Sequence, residues 1–272
     1  MPELPEVETI KSDLEKVILN QTIIKVDVFR SSVVKQPEIN KFKAGLKNAR
    51  IRQIIRRGKL LVIELETKDK KTLYLTVHLR MTGQLVYGTF DKKARVSFKL
   101  SNGGYLCYND QRTLGELRLV KDWQQLSVVA KMGPEPLSKE FKLNGFSQQL
   151  SRRLTKIKPL LLDQHFIAGI GNIYAAEALF LSKIMPDRQA CSLTKAEVCL
   201  LFKNIKQVLK KAIKCRGSSF SDYRDGHGQL GNFSQHFYVY GRKAQPCLVC
   251  KNKIQRIVLG GRGTFFCSKC QK

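Results

Sequence analysis

Four cysteines near the end of the chain constrain its fold more than any other feature. Cys247 and Cys250 form one C-x-x-C knuckle, and Cys267 and Cys270 form a second, with sixteen residues between the two. Each knuckle offers two thiolates, and two knuckles at this spacing suit a single tetrahedral zinc ion. Four thiolates leave no open coordination position for water, so a zinc held here is structural and not catalytic. A pair of disulfides is the alternative. Cys107, Cys191, Cys199 and Cys215 are scattered and read as free, inert thiols in a reducing cytoplasm.

At 272 residues the chain exceeds one usual domain, so two domains plus the cysteine-bearing appendage are expected. Lys and Arg number 49 against 22 Asp and Glu, a net charge of +27, and no acid follows Asp225. Clustered cations are rewarded by phosphate backbones through counterion release, so the charge favours a nucleic-acid partner over an acidic protein or a membrane surface. Hydrophobic residues make up 43% of the chain, which excludes a disordered basic tail. No apolar run approaches the roughly 20 residues of a membrane span. Glu3, Glu6 and Glu8 at the start are unlike a signal peptide, so a cytoplasmic protein with no membrane partner is expected.

Residues 5–18 read as a helix, with Pro5 suited to its first position, acids in its opening turn and Val7, Ile10, Leu14 and Val17 at helical spacing. Short strands follow at 23–29, 51–55, 60–65, 73–79, 96–100, 105–108 and 116–120, a density that points to a β-sandwich. A proline-containing linker is expected over 131–145. Helical periodicity then takes over, with Leu201, Ile205, Val208, Leu209 and Ala212 forming a stripe. The expected architecture is α+β: an N-terminal helix and β-sandwich lobe over 1–130, a helical lobe over 146–235, and a four-cysteine zinc ribbon over 236–272.

Two places could carry chemistry. Gly169 and Gly171 precede an apolar helix at 173–181 and expose backbone N–H groups beside its N-terminus, which suits an anion, although a plain helical turn is an equal reading. Asn172 could cap that helix and touch a phosphate, and Arg152, Arg153, Lys156 and Lys158 favour phosphate there. At the chain start, the small Pro2 permits removal of Met1 and would leave a secondary α-amine. The reference pKa of an α-amine lies well below that of lysine, so more of it is nucleophilic at neutral pH. An ordinary terminus with helix-starting acids is the competing reading.

Five segments in register carry a resemblance across essentially the whole chain. They are residues 1–9 (MPELPEVET), 56–59 (RRGK), 78–83 (HLRMTG), 169–174 (GIGNIY) and 260–264 (GGRGT). The chain resembles bacterial formamidopyrimidine-DNA glycosylases, and its Pro-Glu-Leu-Pro-Glu opening favours these over the endonuclease VIII relatives. The resemblance implies a bifunctional glycosylase and lyase of base excision repair. Such an enzyme removes oxidised purines through a Schiff base on Pro2 and nicks the strand by β,δ-elimination. It also implies a helix-two-turn-helix motif in the helical lobe, one structural zinc ion on Cys247, Cys250, Cys267 and Cys270, and double-stranded DNA with oxidised bases as partner. A monomer is expected.

By residue, the resemblance implies Pro2 as nucleophile, Glu3 as proton donor, Lys59 in β-elimination and Arg262 on the flanking phosphates and in δ-elimination. Glu6 is matched as a structural neighbour of that site. Met81, Arg112 and Leu114 match three residues that fill the gap left by an everted nucleotide, with Arg112 bonding the orphaned cytosine. Lys93, Arg153 and Asn172 match DNA contacts. The chain departs from the family in two places: Leu114 stands where phenylalanine is usual, and Lys93, Ala94 and Arg95 replace a His-Asp-His cluster. The stretch 217–232 matches a loop over the extruded base, and its composition agrees with disorder without DNA. An oxidised-pyrimidine glycosylase of the same superfamily and a non-catalytic zinc-ribbon binder are the alternatives; only an enzyme needs the free amine of Pro2.

Overall fold

Pro5 lies in the first turn of α1 (Leu4–Ile18), where its missing N–H is no loss, and Val7, Ile10, Leu14 and Ile18 share one buried face. The computed structural model describes residues 1–219 and 222–272. The chain divides into two compact units, Met1–Ala130 with Cys215–Asn232, and Lys131–Lys214 with Phe233–Lys272.

The first unit continues with β1 (Ile23–Val28), β2 (Val34–Gln36), α2 (Ile39–Leu46), β3 (Arg50–Arg57), β4 (Leu60–Glu66), β5 (Thr72–His78), β6 (Gly83–Gly88), β7 (Val96–Leu100), β8 (Tyr105–Asp110), β9 (Glu116–Val120) and α3 (Ser127–Ala130). Two sheets form, in the orders β1-β7-β8-β6 and β2-β9-β5-β4-β3. All seven expected strands are present. β2, α2 and β6 were not foreseen. β6 begins and ends in glycine and so reads as turn, although its Leu85 is fully buried. The apolar run of β4 (LLVIELE) is buried on both faces. Leu61, Ile63 and Leu65 join the main core with Phe98 and Tyr108 of the other sheet and with α1, while Leu60 and Val62 pack with Val129 of α3.

The segment 215–232 departs from the expected boundary, since its contacts place it with the sandwich and not with the helical lobe. Single buried charges hold it there. Arg216 bridges Asp13 of α1 at 2.6 Å and Asp225. Both carboxylates are nearly inaccessible, and Asp225 also accepts from the N–H groups of His227 and Gln229. Tyr223 is buried in the main core. Positions 220 and 221 of this segment fall outside the described residues.

The second unit contains α4 (Leu143–Ser151), α5 (Ile157–Leu162), α6 (Asn172–Leu181), α7 (Lys195–Lys214), β10 (Gln255–Leu259) and β11 (Arg262–Phe266). Gln164 fastens the two turns between α5 and α6: its amide donates to Leu162 and Ile170 carbonyls and its oxygen accepts from Gly169 N–H. Such a helix-two-turn-helix presents the start of α6. Eight of the ten α6 residues are buried, as its all-round apolar sequence requires. The stripe on α7 packs inward through Val198, Leu201, Ile205, Val208, Leu209 and Ala212. The antiparallel pair β10-β11 belongs to a ribbon that packs on α6: Ala176 and Phe180 cluster with Val239, Cys247, Ile254 and Cys267, and Phe265 of β11 lies against them.

Candidate active site

In the first unit, Pro2 and Glu3 are both buried directly ahead of α1. Glu3 is its N-cap, and Glu6 Oε2 accepts from Glu3 N–H at 2.8 Å. The other oxygen of Glu6 accepts from Ser218 N–H at 2.8 Å and from the Ser218 hydroxyl at 3.2 Å. Glu6 thus spends one oxygen on the chain start and the other on the 215–232 segment. Gly217 must lack a side chain for this approach, because a Cβ there would lie 2.9 Å from Glu6 at φ +78°.

Lys59 follows Gly58, a left-handed glycine in the tight β3 to β4 turn, and is only 7% exposed. Arg56 braces that turn, donating to Glu8 of α1 at 2.6 Å and to Gly58 carbonyl at 3.1 Å. α1 therefore organises both the chain start and the Lys59 turn. His78 pairs with Leu60 across β4 and β5, next to Lys59. Burial, then the neighbouring Arg80, push its pKa down to about 4, so the ring is neutral at pH 7. Its Nδ1 accepts from Arg80 N–H at 3.1 Å, leaving Nε2–H as the donor. Sequence reasoning quoted His78 within a motif but assigned it no role.

Met81 and Arg112 come together, with the Arg112 guanidinium 3.3 Å from Met81 Sδ. Leu114 stands 47% exposed on the same loop as Arg112. Lys93 shares the wall of an open cavity of about 760 Å³ with Thr82, Arg95, Asp110 and Arg224.

In the second unit, Asn172 is not the helix cap. Gly171 takes that position, and Asn172 opens α6 with its amide donating to Gly263 carbonyl at 3.1 Å. Its side chain therefore reaches the turn that carries Arg262. Lys158, fully buried, grips the same turn, donating to Thr264 Oγ1 at 2.7 Å and Gly263 carbonyl at 3.3 Å. Gly260 and Gly261 supply its left-handed conformations, and Arg262 is exposed. In sequence Lys158 is one of four cations that favour phosphate beside Gly169 and Gly171; only its zero exposure reveals a bracing role. Glu177 was missed entirely. Buried on α6, it accepts from the N–H groups of Tyr238, Val239 and Tyr240, the entry to the ribbon, and burial raises its pKa. Arg153 is exposed just beyond α4.

The four thiolates of Cys247, Cys250, Cys267 and Cys270 lie within 4.8 Å of one another. Zinc-sulfur bonds of about 2.3 Å in a tetrahedron put sulfurs about 3.8 Å apart. Sulfur separations of 3.9 Å (Cys247 to Cys270) and 3.4 Å (Cys250 to Cys267) agree with that edge and exclude disulfides, which need about 2.05 Å. The set fits one structural zinc ion, with two ligands fully buried and no position left for substrate.

Comparison with known proteins matches three family descriptions in order along the chain. Residues 1–117 match the formamidopyrimidine-DNA glycosylase N-terminal domain, residues 132–224 the H2TH domain of the same enzyme, and residues 244–272 a zinc finger found in FPG and IleRS. Formamidopyrimidine-DNA glycosylase from Pelotomaculum thermopropionicum is 42% identical over 278 residues, covering 100% of this chain and 99% of that one. The same enzyme from Herpetosiphon aurantiacus is 41% identical over 276 residues, with both chains fully covered. Among solved structures, wild-type Lactococcus lactis Fpg in complex with DNA containing N7-benzyl-Fapy-dG superposes with a TM-score of 0.91 at 37% identity, covering 100% of both chains. Thermus thermophilus MutM (Fpg) gives 0.88 at 37% identity, covering 99% of this chain and 98% of that one.

Proposed function

This chain belongs to the formamidopyrimidine-DNA glycosylase family, and from that premise we propose how its residues carry out the reaction. The enzyme is a DNA glycosylase of base excision repair that acts on oxidised purines. In the proposed mechanism Met1 is removed and the Pro2 nitrogen attacks C1′ of an everted nucleotide. The C1′ to base bond breaks and the departing purine takes up a proton. Glu3 delivers a proton to the ring oxygen, the sugar opens, and the amine proton leaves to give an iminium. Loss of a C2′ proton then expels the 3′ phosphate, and a second elimination expels the 5′ phosphate. Water finally hydrolyses the iminium and frees Pro2. Lys59 serves the first elimination and Arg262 holds the flanking phosphates, its planar fork matching two oxygens at once.

The observation that supports this most is the grip on the chain start: Glu3 caps α1, and Glu6 ties Glu3 to Ser218. A nucleophile must be held in one geometry to gain from proximity, and an ordinary terminus would fray. The catalytic lobe is proposed as residues 1–130 extended by 215–232. The helices of the second unit and the zinc ribbon would supply Asn172, Arg153 and Arg262 to DNA. Met81, Arg112 and Leu114 would fill the duplex behind the everted nucleotide, with Lys93 on a nearby phosphate. The enzyme is proposed to work as a cytoplasmic monomer; among the described residues no helix is long and apolar enough to cross a membrane.

Borohydride reduction during reaction with an 8-oxoguanine duplex tests the nucleophile. The wild-type chain, sequenced from Pro2, should form a covalent adduct that Pro2→Gly does not. An adduct of undiminished yield in the variant would overturn the assignment.

A further inference from the structure

Two exposed loops carry Met81 on one side and Arg112 and Leu114 on the other, and a single buried carboxylate joins them. Asp110 ends β8 at 2% exposure. It accepts from three donors: the Thr82 hydroxyl, Gly115 N–H at 2.7 Å and the Tyr108 hydroxyl at 3.2 Å. The Thr82 oxygen, its proton given to Asp110, accepts Arg112 N–H at 3.0 Å. One hydrogen-bond chain thus runs from Gly115 at the end of the second loop, through Asp110 and Thr82, back to Arg112.

The fit around this carboxylate tolerates no side chain at two positions. A Cβ at Gly115 would stand 1.7 Å from the Tyr108 hydroxyl, and one at Gly83 would meet that hydroxyl at 2.8 Å and Leu79 carbonyl at 2.4 Å. Each loop also holds one residue with a side chain in the left-handed region, Arg80 and Thr113, both at φ 52°. L residues adopt that conformation at a cost, so something must hold it. Burial and the adjacent Asp110 keep the Tyr108 hydroxyl protonated, so its donor role persists through any working pH.

We propose that Asp110 is the positioning residue that sets Met81, Arg112 and Leu114 as one pre-formed wedge before DNA arrives. The proposal rests on the reading of those three residues as the group that fills the opened duplex. Everting a nucleotide costs unstacking energy, and loops that had to be ordered in the same step would add their own entropy to that cost. A wedge already held from beneath avoids the second cost. Asp110 itself touches no DNA in this scheme; the three donors converge on both of its oxygens, and a carboxylate accepts at both whereas an amide puts a donating NH2 in place of one.

Single-turnover cleavage of an 8-oxoguanine:cytosine duplex is compared with cleavage at an abasic site in single-stranded DNA, which has no partner strand to open. Asp110→Asn should slow the duplex reaction about tenfold, the effect of leaving one buried donor unpaired, and leave the single-stranded reaction within about twofold. Thr82→Val keeps the volume and the other two donors, and should shift the duplex reaction in the same direction if Asp110→Asn fails to fold. Met81→Ala is the reference for the wedge itself. Equal losses on both substrates, or an unchanged duplex rate where Met81→Ala is slow, would overturn the role of Asp110. An unchanged duplex rate in Met81→Ala would instead remove the wedge reading, and the proposal with it.

Discussion

His78 shows how one residue's surroundings set its chemistry. Its folded pKa of about 4 lies below its ordinary 6.5, because burial and Arg80 disfavour the charged ring. On acidification the unfolded chain therefore takes up a proton first. The stabilising contribution is complete above about pH 6.5 and is lost as the pH falls toward 4. Between pH 7.5 and pH 5, wild-type protein should lose about 1–2 kcal/mol more unfolding free energy than His78→Gln. Urea titrations at the two pH values check this, and equal losses would refute it. At this scale the sequence disclosed residues that belong to motifs, such as Pro2, Glu3 and the four ribbon cysteines. It concealed Lys158, Glu177 and Asp110, since a buried charge and a solvated one are written with the same letter. Only exposure and partners separate them, and those depend on distant segments such as the Gly263 turn for Lys158.

At the scale of elements, patterning was reliable where one period ran long enough. The stripe on α7 and the continuous run in β4 both lie where the sequence put them. β6 was lost because two glycines frame it. The ribbon is the element most dependent on something other than pattern. Its single pair of strands is marginal without further support. Metal binding energy, about 10 kcal/mol or more in comparable sites, supplies that support. Cys250→Ser should therefore release zinc and abolish DNA binding while the two sheets of the first unit keep their circular dichroism. Metal analysis and a gel-shift assay decide it; zinc retained at one equivalent would refute the ligand set.

For the whole molecule, the charge of +27 is the dominant fact. It makes no statement about fold, yet it predicts how binding answers to salt. If six or more phosphates are neutralised, the logarithm of affinity should fall with the logarithm of salt at a slope of about −5 or steeper. Arg262→Ala should flatten that slope by about one. A wild-type slope near zero would refute phosphate-led binding. The division into units was legible only in part. The composition of 215–232 announces a loop but not the body it joins, and that allegiance is decided by Arg216 between two buried carboxylates. The zero exposure of Lys158 has a practical consequence as well. Amine-reactive labels will mark the many solvated lysines within seconds and reach Lys158 only when the Arg262 turn lifts away. Its slow labelling would then time the local opening of the helical unit against the internal reference of all the fast ones.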